Sequence, residues 1–89
     1  NEWKAASHRL SMAAYPNPFT LQTRITITEP GIASRKLLLL DLQGRILREI
    51  RELQDDSFQL FRENLSPGIY ILQLIESEIP VTSLKLIAR

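Results

Sequence analysis

The chain contains no cysteine. Disulfides, cysteine-ligated zinc and thiol nucleophiles are excluded together, while the redox compartment stays open, because a disulfide-free domain suits any of them. Histidine occurs once, as His8. No second imidazole exists to complete a dyad or a metal site, so His8 reads as exposed surface. Three glycines are too few for a phosphate-cradling loop. No apolar run nears the ~18–20 residues that cross a bilayer as a helix, and the opening NEWKAASHRL lacks the apolar core of a signal peptide. Neither sign of charge dominates: 11 Lys and Arg against 10 Asp and Glu leave +1, which excludes the basic footprint of a nucleic-acid or anionic-membrane binder. Ser66, Ser77 and Ser83 have no Ser-His-Asp companions. Asp55-Asp56-Ser57 lacks the spacing of a calcium loop and reads as a solvated turn. No catalytic residue, metal site or cofactor is expected.

What is present is an 89-residue chain, 44% hydrophobic and 24% charged. That is one globular domain with a thin core, burying roughly 60–65% of its unfolded surface. Residues 1–12 read as a linker, with 12–15 able to start a short strand. Ile25 and Ile27 alternate with Arg24, Thr26 and Thr28, and the run stops at Glu29-Pro30-Gly31. RKLLLLDL (35–42) has the length of a buried strand, SFQLF (57–61) alternates, and IYILQLIE (69–76) is β-branched and aromatic. SEIP (77–80) connects it to a last strand, VTSLKLIA (81–88). Tyr70, Leu72 and Leu74 share one face and belong in the core with Leu37, Leu39, Ile25 and Ile27.

One segment resists. Ile46, Leu47, Ile50 and Leu53 lie at i, i+1, i+4 and i+7, a helical stripe backed by Arg48, Glu49, Arg51 and Glu52. Gly44, between two apolar runs, argues instead for a hairpin. The choice over 45–53 stays open, with a bulged strand over 45–51 preferred. The tally is six or seven short strands separated by turn signals, an all-β, immunoglobulin-like antiparallel sandwich.

The stretch YPNPF (15–19) carries two prolines that cannot donate to a ladder and that bias Tyr15 and Asn17 towards extended geometry. Such a segment belongs at a sheet edge or a sheet change. Asn17 is suited to bonding nearby backbone, and Tyr15 and Phe19 are suited to anchor the segment on the core.

Four features fall in order: Pro16-Asn17-Pro18; Asp41, Gly44 and Arg45 within LLDLQGR; Gly68 and Tyr70 within SPGIYILQL; and a closing Lys85-Leu86-Ile87-Ala88-Arg89. Together they resemble the C-terminal sorting domain of the type IX (Por) secretion system, type A kind, over residues 13–89. The resemblance implies a seven-stranded immunoglobulin-like sandwich. It implies a recognition tag rather than an enzyme, carried behind cargo in bacteria of the Bacteroidetes type. The cargo would pass through the periplasm, and the tag would present it to an outer-membrane translocon. A sortase-like surface protease would then remove the tag and leave the cargo at the cell surface, with the cut in or beside residues 1–12. On that reading the Asn64-Leu65-Ser66 glycosylation pattern is chance. Gly44 supplies a positive φ, Asp41 accepts N–H bonds across the turn, Arg45 covers it with charge, and Gly68 after Pro67 makes a reverse turn.

Two surfaces stand out. If Leu37 and Leu39 face inwards, then Leu38, Leu40 and Leu42 face outwards, as do Ile69, Ile71 and Ile75 opposite Tyr70 and Leu72. Either a partner protein or a second copy covers this apolar surplus, or the linker or the 53–65 segment does. The terminal strand is either a charge-protected edge or the handle of the translocon, taken by strand addition. An accessory carbohydrate- or protein-binding module of a secreted enzyme is the alternative reading, and it expects aligned exposed aromatics.

Overall fold

A computed structural model describes residues 11–28, 35–51 and 57–89. His8, the 1–10 part of the linker, Glu29-Pro30-Gly31, Glu52, Leu53 and Asp55-Asp56 lie outside the described residues. Seven strands follow one another: β1 (Met12–Tyr15), β2 (Gln22–Ile27), β3 (Arg35–Leu40), β4 (Ile46–Arg51), β5 (Ser57–Phe61), β6 (Gly68–Glu76) and β7 (Ile79–Ala88). They form two antiparallel sheets, β1-β2-β5 and β4-β3-β6-β7, packed face to face as a sandwich. The open choice over 45–53 falls to strand across 46–51.

The core is the alternation seen in the sequence. Ile25, Ile27, Leu37, Leu39, Tyr70, Leu72 and Leu74 are all buried, joined by Phe19, Leu60, Leu86 and Ala88. Thr23 shares the parity of Ile25 and Ile27 and is buried with them. In a constant-type immunoglobulin sandwich the fourth strand pairs in the sheet of the first, second and fifth. Here β4 turns back onto β3, because the 41–45 hairpin is too tight to let it cross.

β4 deceived the helical template for a local reason. The register shifts between Leu39 and Leu40, so that Leu39 faces Arg48 and Leu40 faces Ile46. Leu47 is the extra residue of a bulge, which puts two successive side chains on one face. Both Ile46 and Leu47 are exposed, while Ile50 turns inwards against the core.

Two orientation expectations are corrected. Tyr15 does not anchor the core: it is 82% exposed on β1 opposite Arg24, and Phe19, 1% exposed, is the anchor. Ile75 is not outward and open but 6% exposed. It sits on a central strand between Lys36 of β3 and Pro80 of β7, so neighbours flank it on both sides. A second register shift, between Leu74 and Ile75 against β7, falls at the same place. Pro80 is accommodated there because β7 is an edge strand.

The β6–β7 loop has only two residues, Ser77 and Glu78, with φ of 51° and 69°. Positive φ at both centres defines the hairpin turn that matches strand twist, made here without glycine.

The strand directions define two poles. The chain enters the described structure at Ser11, beside Thr28. That pole also holds the ends of β2, β4 and β6 and the starts of β3, β5 and β7. The other pole holds residues 17–21, 41–45, 62–68 and 85–89.

Candidate functional site

The second pole is built by three devices. The first is the β3–β4 hairpin. Gly44 N donates to Asp41 O at 3.0 Å, and Asp41 N donates to Arg45 O at 3.1 Å. Gly44 has φ +88° with open space around it, the left-handed position that a three-residue hairpin needs. Asp41 Oδ1 accepts from the N–H of Gln43 (2.9 Å) and of Arg45 (3.0 Å), and Oδ2 from Arg45 Nε (2.8 Å). These bonds favour the carboxylate, and the Asp41 pKa is lowered from 3.8. The Arg45 N–H is the largest cause, and the Arg45 side chain and the Gln43 N–H add to it against the opposing effect of burial.

The second device is the loop leading into β6. Its hydrogen-bonded turn spans Arg62 to Leu65 (Leu65 N to Arg62 O, 3.1 Å). This corrects the expectation of a reverse turn at Pro67-Gly68, where the chain instead bends directly into β6. Two arginines hold the loop by its carbonyls. Arg48 donates to Phe61 O and Arg62 O (2.6 and 2.7 Å), and Arg62 donates to Leu65 O and Thr20 O (2.9 and 3.0 Å). Tyr70 closes the loop, its hydroxyl donating to Ser66 O at 2.5 Å. A tyrosine near the start of the penultimate strand, bonded back to the chain just upstream, is the tyrosine corner of immunoglobulin-like sandwiches.

The third device is the Pro-Asn-Pro segment. Both the Tyr15–Pro16 and Asn17–Pro18 peptide bonds are cis. Asn17 does not bond nearby backbone as expected; it reaches 68 and 70 residues along the chain. Its Nδ2 donates to Lys85 O at 2.8 Å, and its Oδ1 accepts from Ile87 N at 3.0 Å. A side-chain amide thus stands in for one residue of a neighbouring strand. Phe19 continues the pairing with real backbone, Phe19 N to Ile87 O and Arg89 N to Phe19 O, both at 2.9 Å. Buried Thr23 fixes the segment from behind, its hydroxyl donating to Pro16 O at 2.7 Å.

The terminal edge is therefore closed between Lys85 and Arg89. An incoming strand would find the outward main-chain groups there already bonded. What the terminal residues offer instead is side chains. Lys85, Ile87 and Arg89 point away from the core, and Leu86 and Ala88 point into it.

All thirteen candidate residues lie at this pole or run into it: Pro16, Asn17 and Pro18 against Lys85, Ile87 and Arg89; Gly68 opposite Ala88; Tyr70 opposite Leu86. Asp41, Arg45, Gly68 and Tyr70 line one cleft of about 500 Å³ between the hairpin and the loop. The outward apolar residues gather beside it. Leu42 and Ile69 are exposed, and Leu38, Leu40 and Ile71 are half-buried. The residues sequence reasoning missed are Thr23, Ile46 and Leu47. Thr23 was signalled by parity alone, and Ile46 and Leu47 were masked by the helical stripe. Among the described residues no cluster of histidine and carboxylate groups could hold a metal ion, and no helix is long and apolar enough to cross a membrane.

The family model of the secretion system C-terminal sorting domain matches residues 13–89. The chain belongs to this family. It is a type IX sorting signal, and the family's role is export to the cell surface or secretion rather than catalysis. Comparison with curated proteins finds no match. In the sorting domain, then, each matched motif has a structural duty: one turns β3 into β4, one holds the entry to β6, and one fastens the first strand to the last.

Proposed function

We propose that this sorting domain carries an N-terminal cargo from the periplasm through the type IX outer-membrane translocon to the cell surface. A sortase-like protease then removes it by cutting within or beside residues 1–12, the linker to cargo, while 13–89 is the tag. The domain performs no catalysis; it is read. The recognised residues are Pro16, Asn17, Pro18, Asp41, Gly44, Arg45, Gly68, Tyr70 and the terminal Lys85–Arg89. The observation that supports this reading is polar separation. The motif residues gather at one pole, whereas Ser11, through which the chain joins whatever precedes it, lies at the other. Cargo of any size then leaves the motif pole uncovered.

The test is a fusion of residues 1–89 behind a periplasm-directed fluorescent reporter, in a bacterium with type IX machinery and in a matched strain lacking the translocon. Reporter on the surface of the first strain alone is expected. Reporter retained in the periplasm of both, with the domain folded, would refute the sorting role. A deletion of residues 85–89 is uninformative about recognition, because it removes the partners of Asn17 and Phe19. Lys85→Glu with Arg89→Glu keeps the backbone pairing and isolates the side chains.

A further inference from the structure

We propose that the outward face of the β4-β3-β6-β7 sheet at the motif pole docks on a protein surface that is apolar at its centre and rimmed by carboxylates; this deepens the sorting reading and rests on it.

The face divides into two halves along the strands. Towards the entry pole it is mixed, with Ile75 covered between Lys36 and Pro80 and Val81 exposed, and its charges are satisfied. Glu49, Gln73 and Ser83 lie in register across it through Leu38, and Glu49 pairs with Lys36 at 3.5 Å and Arg51 at 2.7 Å. Towards the motif pole it is aliphatic across all four strands. Ile46 pairs with Leu40 and Leu40 with Ile71, and Ile69 pairs with Ile87. The β4 bulge adds Leu47 to the same face. Leu47 and Ile69 are each 41% exposed and Ile46 is 59% exposed. A contiguous aliphatic patch of this kind on a small domain marks a binding surface.

The rim decides the occupant. Lys85 follows Ile71 in the same cross-strand row, and Arg89 lies two residues beyond Ile87. Neither has a carboxylate partner among the described residues. Arg45, at the hairpin end, is bonded to Asp41 through Nε with its side chain still 77% exposed. A second copy would bring to the rim the same cations and, among the described residues of this half, no unpaired carboxylate to meet them. A partner rimmed by carboxylates would pair with them. The adjoining cleft, with Leu42, Leu47 and Ile69 in its wall, suits one apolar anchor from that partner.

The experiment measures binding of the 1–89 chain to purified type IX translocon in detergent by biolayer interferometry, over a series of sodium chloride concentrations. Leu47→Ser with Ile69→Ser is expected to weaken binding about tenfold or more, with the melting temperature little changed because both sites are exposed. Lys85→Glu with Arg89→Glu is expected to weaken binding and flatten its salt dependence. Thr26→Lys, on the outer face of the other sheet, is expected to bind as wild type. Equal binding by wild type and the Leu47/Ile69 variant, while the reporter fusion still reaches the surface, overturns the docking face and leaves the sorting reading standing. A reporter that stays periplasmic overturns both. A dimer in sedimentation that Leu47→Ser dissolves, or binding to phosphatidylglycerol vesicles that the same change abolishes, also overturns it, since the occupant is then a second copy or a lipid surface.

Discussion

Replacing Asn17 by alanine removes two bonds that join the start of the domain to its last strand, Nδ2 to Lys85 O and Ile87 N to Oδ1. A hydrogen bond contributes a net ~0.5–1.5 kcal/mol, and more is lost where a half-buried donor goes unpaired. The Lys85 carbonyl is at an exposed position and water replaces its partner, whereas Ile87 is half-buried. The loss therefore sums to about 1–2 kcal/mol. In a domain of this size each kcal/mol moves the melting temperature by roughly 4–8 °C, so the expected fall is on the order of 4–16 °C. Phe19 keeps its own two backbone bonds, so the segment stays docked and the fold survives. Asn17→Asp keeps the acceptor for Ile87 N but sets a carboxylate against the Lys85 carbonyl, and it is expected to lose at least as much. Thermal unfolding reads the total, and amide exchange at Ile87 reads the site. If Asn17→Ala melts within about a degree of wild type and Ile87 exchanges no faster, the side chain does not clasp the strand and the reasoning fails.

Tyr70→Phe loses the bond to Ser66 O and is expected to cost about 1 kcal/mol in urea unfolding; an unchanged midpoint would dismiss the tyrosine corner. Glu76→Ala leaves Arg35, whose side chain is 5% exposed, without its carboxylate, and is expected to cost about 3 kcal/mol; a loss below about 1 kcal/mol would mean that solvent reaches Arg35. Glu78→Gly relieves a left-handed side chain and is expected to raise stability by about 0.5–1 kcal/mol after the unfolded-state entropy is counted; a lower melting temperature would refute it. The Asp41 pKa is depressed in the folded state, so its contribution is full above the unfolded aspartate pKa and is lost as pH falls below it towards the folded value. As pH falls from about 5, Asp41→Asn should show a shallower decline in urea midpoint than wild type; parallel declines would remove Asp41 from the pH dependence.

The sandwich was legible wherever alternation was clean. Ile25 and Ile27, Leu37 and Leu39, and Tyr70, Leu72 and Leu74 each declare a strand and the face it buries. β4 was ambiguous because its bulge makes Ile46 and Leu47 neighbours on one face, and two adjacent apolar residues followed by Ile50 imitate a helical stripe. The hairpin chemistry was legible because Asp41, Gly44 and Arg45 act within five residues of one another. The Asn17 clasp was not, because nothing local to Asn17 points to residues 68 and 70 positions away. Tyr15 and Ile75 were misjudged for a related reason: side-chain exposure depends on which strand lies alongside, and periodicity does not reveal strand order. The handle reading of the terminal strand missed that the Pro-Asn-Pro segment occupies its edge.

The two poles also determine how the domain bears load. A pull applied between residue 11 and residue 89 runs along the strand axes, since β1 begins at one pole and β7 ends at the other. Ladder bonds lie perpendicular to the strands, so β1 against β2 and β7 against β6 are loaded in shear. Their hydrogen bonds then resist together rather than parting one after another. The four bonds between residues 17–19 and 85–89 cross the same line of force and tie the first strand's segment straight to the last. A domain loaded between these two ends is thus held by bonds in shear, and the Pro-Asn-Pro segment adds a direct tie between its first and last strands.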